Sequence, residues 1–134
     1  MSWSECGTLP RIMLSNMDGT KKRLLISSDI KCAYDLVFDL PLKKFYWRNS
    51  WGIEVSNLDG SNRKTVLERT SITGFALTNI YLYWSEARGT VYLSSRTGSS
   101  QVKIASNLQT PHLVKAYTKN SLSQIGRASC RERV

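Results

Sequence analysis

Phe45 to Gly60, FYWRNSWGIEVSNLDG, sets the pattern for the rest of the chain. Tyr46 and Trp47 form an aromatic pair, and Ile53 and Val55 alternate with polar residues as a strand with one buried face must. Asp59-Gly60 follows as a turn in which Gly60 is free to take a positive φ and close a hairpin. The same order occurs upstream, where Ser2-Trp3-Ser4-Glu5 precedes Ile12-Met13-Leu14-Ser15-Asn16-Met17-Asp18-Gly19. It occurs again downstream, where Tyr83-Trp84-Ser85-Glu86 precedes Val91-Tyr92-Leu93-Ser94 and the turn ending at Gly98. Trp3, Trp47 and Trp84 are 44 and 37 residues apart, and Gly19, Gly60 and Gly98 are 41 and 38 apart. A period of about 40 residues is the mark of propellers and solenoids.

Each unit follows one strand grammar. In the middle unit Leu36-Val37-Phe38-Asp39 is an apolar run suited to an inner, doubly buried strand, and Pro41 with Lys43-Lys44 breaks it. Phe45 to Trp47, Ile53 to Ser56 and Thr65 to Leu67 supply three more strands, and the third unit repeats the series at Gly74–Leu77, Tyr81–Trp84, Thr90–Leu93 and Val102–Ala105. Four short strands per unit describe a propeller blade. Helix is a poor rival, because no segment holds apolar residues at helical spacing for more than two turns. The first unit lacks an inner strand, and Pro111 to Tyr117 begins a new one. The expected architecture is all-β: strands two to four of one blade at 1–30, full blades at about 31–70 and 71–107, and a closing inner strand at 111–117. From Ile125 to Val134, IGRASCRERV, the repeat grammar stops and the composition shifts, which is expected of a non-native tail.

These units resemble the YWTD, or class B, repeats of the low-density lipoprotein receptor family over roughly residues 2 to 124. YWRN and YWSE stand where that family writes YWTD, and IEVSNLDGSNRKTVL and IMLSNMDGTKKRLL stand where it writes I-x-R-A-N-L-D-G and a basic strand. The resemblance implies a six-bladed β-propeller of which this chain forms about the last three blades. Leu113 to Tyr117 would be the latch strand, with an epidermal-growth-factor-like module usually following. It further implies a non-enzymatic segment of a single-pass endocytic or signalling receptor, on the extracellular side of the plasma membrane or in the endosome. Protein ligands would be its partners, acidic receptor modules among them, and the membrane would be reached only through the parent chain. The resemblance makes Trp3, Tyr46, Trp47, Tyr83 and Trp84, with the turn residues Asp18, Gly19, Asp59, Gly60 and Gly98, structural repeat positions. Two departures stand out. The motif's Asp is Glu5, Asn49 and Glu86 here, and its Arg is Leu14, Val55 and Leu93, so the polar ties between blades are expected to be lost as pairs, at little net cost.

Composition narrows the rest. The 19 Lys and Arg against 10 Asp and Glu give +9, which favours acidic partners at long range. The clusters Lys21-Lys22-Arg23, Lys43-Lys44 and Arg63-Lys64 sit beside turns and read first as solvated hairpin tips. Without a zinc-finger spacing, ribonucleoprotein motif or long basic helix, nucleic acid is not an expected partner. No run reaches the roughly 18 to 20 apolar residues of a membrane span, and Met1-Ser2-Trp3-Ser4-Glu5 does not read as a signal peptide. Cys6, Cys32 and Cys130 form no metal-ligand spacing. Cys6 and Cys32 can pair in an oxidising compartment, and the odd count leaves at least one thiol free. Asp18-Gly19 and Asp59-Gly60 lack the further oxygens of a calcium loop, and no metal or other cofactor is expected. His112, the single histidine, is a candidate acid sensor. No G-x-S-x-G elbow or marked carboxylate pair points to catalysis. A matrix protein of the nidogen kind and a lactonase-like propeller enzyme are the alternative readings. In isolation, half a propeller would expose strand edges and apolar faces and aggregate.

Overall fold

A computed structural model of the protein describes residues 1–109. Within them lie three antiparallel sheets, each a simple meander. The first holds β1 (Ser2–Glu5), β2 (Arg11–Leu14) and β3 (Arg23–Ile26). The second holds β4 (Tyr34–Asp39), β5 (Lys44–Asn49), β6 (Gly52–Asn57) and β7 (Lys64–Glu68), and the third β8 (Ile72–Leu77), β9 (Tyr81–Glu86), β10 (Thr90–Ser95) and β11 (Val102–Ala105). The all-β, partial-propeller architecture expected from the repeats is the one observed. The expected closing strand at 111–117, His112 and the tail at 125–134 lie outside the described residues.

The central pair of each complete blade keeps unbroken register, Lys44↔Asn57 through Asn49↔Gly52 in one and Thr90↔Glu86 through Ser95↔Tyr81 in the other. The flanking pairs carry register shifts, at Tyr34/Val37, Ile53/Glu54, Ile72/Gly74 and Val91/Tyr92. Bulges of this kind strengthen the local twist and make outer strands poor templates for pairing with another chain.

Side-chain alternation on β5 explains how the blades stack. Phe45 and Trp47 point one way, into a core with Ile12, Leu14, Leu25 and Ile26 of the first blade. Tyr46 points the other way, into a core with Ile53, Val55, Ile72, Phe75, Leu82 and Trp84 that joins the second and third blades. Phe45, Trp47 and Trp84 are fully buried. Withdrawing one such ring from water contributes about 1.5–3 kcal/mol. The inner strand departs from the sequence reading. Leu36 and Val37 are half-buried, one against each core, and Phe38 is exposed. Phe38 shares with Phe45 the face toward the first blade, whose sheet has three strands where the others have four, so no strand covers the end of β4 on that side. β8, equally at a sheet edge, packs against β4 and is buried.

Cys6, just past β1, is disulfide-bonded to Cys32, just before β4, across 26 residues of sequence. The bond staples the first blade to the start of the second, beside the hydrogen bond that the Ser4 hydroxyl donates to the Ala33 carbonyl at 2.7 Å. Closing a loop of that length stabilises the fold by about 3 kcal/mol through the unfolded state. A Cys6→Ser/Cys32→Ser chain is therefore expected to unfold at markedly lower urea concentration than the oxidised parent, and reducing agent should shift the parent to match it.

Candidate ligand-binding end of the blades

The repeated tryptophans share one polar device. Each indole Nε1 donates to a glutamate: Trp3 to Glu5 at 3.1 Å, Trp47 to Glu54 at 3.1 Å and Trp84 to Glu86 at 3.3 Å. Each glutamate also meets an arginine. Arg11 pairs with Glu5 at 2.5 Å, Arg63 with Glu54 at 2.9 Å and Arg69 with Glu86 at 3.3 Å. The expectation that the polar ties are lost as pairs is therefore corrected. A buried indole N–H needs an acceptor, and two sequence positions reach the same point. Glu5 and Glu86 lie two residues along the strand from their tryptophans, on the same face, whereas Glu54 lies directly across the ladder from Trp47. Asn49, where the middle blade lacks an acid, donates from its side-chain amide to Glu54 and so supports the substitute.

The arginines also bind neighbouring blades to one another. Arg63 donates to the carbonyls of Ser28 and Asp29, in the link from the first blade to the second. Arg69, in the link from the second blade to the third, reaches Glu86 and Gln101. Arg96 pairs with buried Asp39 of the preceding blade and lies over the Tyr46 ring at 5.4 Å. Arg63, grouped by its neighbours with solvated hairpin tips, instead has a side chain only 18 % exposed. Lys21, Lys22 and Lys43 are exposed, as that reading expects.

At one end of the blades the β1–β2, β5–β6 and β9–β10 turns gather with the links between blades. Trp51 stands in the middle of that end. On one side of it is an open cleft of about 670 Å³ with Leu9, Pro10, Leu24 and Ile30 in its walls and Arg11 and Lys31 at its margin. On the other side a cleft of about 500 Å³ is lined by Trp51, Glu68, Arg69, Thr70 and Ser71. The Trp51 backbone is fixed: Asn49 Oδ1 accepts from the N–H groups of Trp51 and Gly52, both at 3.0 Å, and the Trp51 carbonyl accepts from Arg69 N–H at 3.0 Å. The side chain stays half-exposed between the two clefts.

No family model matches the chain. It is 31% identical over 120 residues to a vitellogenin receptor of Solenopsis invicta, across 85% of this chain and 7% of that protein. It is 26% identical over 122 residues to vitellogenin receptor Yl of Drosophila melanogaster, across 87% of this chain and 6% of that one. A chain in the crystal structure of a nidogen/laminin complex superposes with a TM-score of 0.76 at 25% identity, covering 88% of this chain and 48% of that chain. The chain belongs to the YWTD-repeat propellers of the low-density lipoprotein receptor-related family. It spans less than a tenth of the two receptors and about half of the nidogen/laminin chain it matches.

In this YWTD segment the remaining repeat positions have local tasks. Asp18 accepts from the Thr20 hydroxyl and N–H, and Asp59 does the same with Ser61. Those hydrogen bonds, the hydroxyl first, hold both carboxyl groups below the usual aspartate value. Gly19, Gly60 and Gly98 close the β2–β3, β6–β7 and β10–β11 hairpins at φ of 81°, 86° and 85°. Tyr83 is half-buried with its ring edge-on to Tyr81. Among the described residues no group of three or more His, Cys, Asp or Glu side chains is placed to hold a metal ion. Trp51 is the residue that attention to the repeat passes over. Its counterparts four residues after the other repeat tryptophans are Gly7 and Arg88, and a tryptophan outside the repeat register at a turn was the available signal.

Proposed function

We propose that the chain is a non-enzymatic ligand-binding segment of a low-density-lipoprotein-receptor-related endocytic or signalling receptor. It would be displayed on the extracellular side of the membrane through its parent chain, with protein ligands docking on the end that carries Trp51. The observation that carries this reading is a part-buried tryptophan, on a backbone pinned by hydrogen bonds to Asn49 and Arg69, between two clefts with arginine and lysine nearby. Rigid aromatic side chains in partly desolvated pockets are the usual anchors of protein interfaces. The Cys6–Cys32 disulfide supports an oxidising compartment, and two relatives are receptors by name.

Vitellogenin is the first ligand to test, on immobilised chain. Binding that weakens tenfold or more in Trp51→Ala, with the thermal melt unchanged, is the expected outcome. Binding that ignores the substitution would remove this end from the proposal. The nidogen/laminin likeness supports a second reading, a structural matrix role. Capture of laminin in place of vitellogenin would favour it.

A further inference from the structure

The cleft of about 500 Å³ beside Trp51 lies where the two four-stranded blades meet. Its lining comes from the β5–β6 turn, the end of β7 and the link to β8, and none of it belongs to the first blade. Register brings these parts together. Gly52, next to Trp51, pairs with Glu68 across the β6–β7 ladder. A β-carbon at Gly52 would collide with the Leu67 carbonyl oxygen, so glycine there allows the close approach that puts Trp51 and Glu68 in one cleft. The Arg69 N–H, donating to the Trp51 carbonyl at 3.0 Å, closes the same corner.

The charges in this cleft do not cancel. The Arg69 guanidinium reaches toward the third blade, 3.3 Å from Glu86, 2.9 Å from the Gln101 side-chain oxygen and 5.6 Å from the centre of the Tyr92 ring. Glu86 therefore answers its charge. Glu68 is exposed, and its carboxylate has no hydrogen-bond or ion-pair partner among the described residues. Arg88, on the β9–β10 turn, is exposed but does not line the cleft. The net charge of +9 favours acidic partners at long range, whereas the free charge inside this cleft is negative.

We propose that the cleft takes a lysine or arginine side chain of a protein ligand, with its aliphatic stem along the Trp51 ring and its cationic end at the Glu68 carboxylate. Thr70 and Ser71 add hydroxyl oxygens that can accept its other N–H groups. An exposed ion pair alone contributes little. An indole face beside the carboxylate adds a cation–π attraction, for which tryptophan is the strongest aromatic. In the third blade the counterpart of Trp51 is Arg88, which would repel the same group. The proposal rests on the reading of the Trp51 end as a ligand surface and adds the chemistry of what is bound there.

The test uses the full 134-residue chain, immobilised, and a fluorescent dextran carrying acetyl-Gly-Lys-Gly groups, so that many weak contacts sum to a measurable one. A chain of charge +9 repels such a polymer in general, so retention demands a local site. The lysine dextran is expected to bind at least tenfold more tightly than dextrans with norleucine or Nε-acetyl-lysine in its place. Glu68→Gln, a conservative change at an exposed position, should abolish that preference with the thermal melt unchanged, and Trp51→Ala should weaken binding tenfold or more. Asp59→Asn, at an exposed acid on the β6–β7 hairpin, should leave it unaltered. Equal binding of the lysine and norleucine dextrans by the natively folded chain, or a lysine preference that survives Glu68→Gln, would overturn the proposal. Vitellogenin binding separates it from the broader reading. Loss in Trp51→Ala with none in Glu68→Gln would overturn the basic subsite and leave the Trp51 end as a ligand surface. Indifference of vitellogenin to both changes, with the lysine preference still lost in Glu68→Gln, would support the subsite and remove the broader reading for that ligand.

Discussion

Alanine at Gly98 is expected to detach the third blade from the second, lowering stability by about 2–5 kcal/mol. Gly98 sits at φ 85°, where a β-carbon is strained, and a β-carbon there would fall well inside contact distance of the Val66 carbonyl oxygen on β7. That oxygen belongs to backbone, so no side chain can rotate away. Gly60 repeats the arrangement one blade earlier against the Leu25 carbonyl on β3, and Gly60→Ala should cost a similar amount. Gly19 has the same backbone angle, yet its nearest neighbour is the flexible end of the Met1 side chain at 3.8 Å. Gly19→Ala should therefore cost only the conformational part, about 1–2 kcal/mol. Urea denaturation followed by tryptophan fluorescence would measure all three. Equal losses at the three glycines would show that the turn angle alone matters and that docking of one blade on the next does not.

Arg63→Met is expected to cost about 3–5 kcal/mol, because it strands the Glu54 carboxylate in the interior. Glu54 is nearly fully buried and receives Nε and Nη2 of Arg63 in a two-pronged contact, with the guanidinium stacked 5.5 Å from the centre of the Trp47 ring. Without Arg63, the Trp47 indole and the Asn49 amide remain as the carboxylate's neutral donors, and the first blade loses its two contacts at Ser28 and Asp29. A second change, Glu54→Gln, removes the charge while leaving an oxygen for Trp47. The double variant should recover a large part of the loss, and the difference between single and double variants in a mutant cycle measures the coupling. If the double variant is as unstable as Arg63→Met alone, the stranded charge is not the cause.

The fold was legible because its signals are local. A turn glycine, an aromatic pair and an alternating strand each announce themselves within a few residues, and their recurrence in Trp3, Trp47 and Trp84 fixes the repeat. What escaped depends on register. Glu54 looks like an ordinary solvent-facing position on β6 until β5 is laid beside it and Trp47 falls opposite. Arg63 and Lys64 are adjacent and equally basic, yet Arg63 turns inward while Lys64 is exposed, and charge counting cannot separate them. The exposure of Phe38 escaped for a related reason, since an apolar run does not say whether the neighbouring sheet has a strand to lay over it. Trp51 carried a visible signal, but one defined by disagreement with its siblings rather than by the repeat.

The contacts made by Arg63, Arg96 and the Gly60 and Gly98 hairpins all run back to the blade before. Stability then behaves as a chain of nearest-neighbour couplings, in which each unit is held by its own fold and by its interfaces with the adjacent units. The middle blade takes part in both of the described junctions, through Arg63 with the first blade and through Asp39 with the third. The cost of a change at one junction is therefore set by the two blades that meet there, which is why Gly60 and Gly98 are expected to act alike although they belong to different blades.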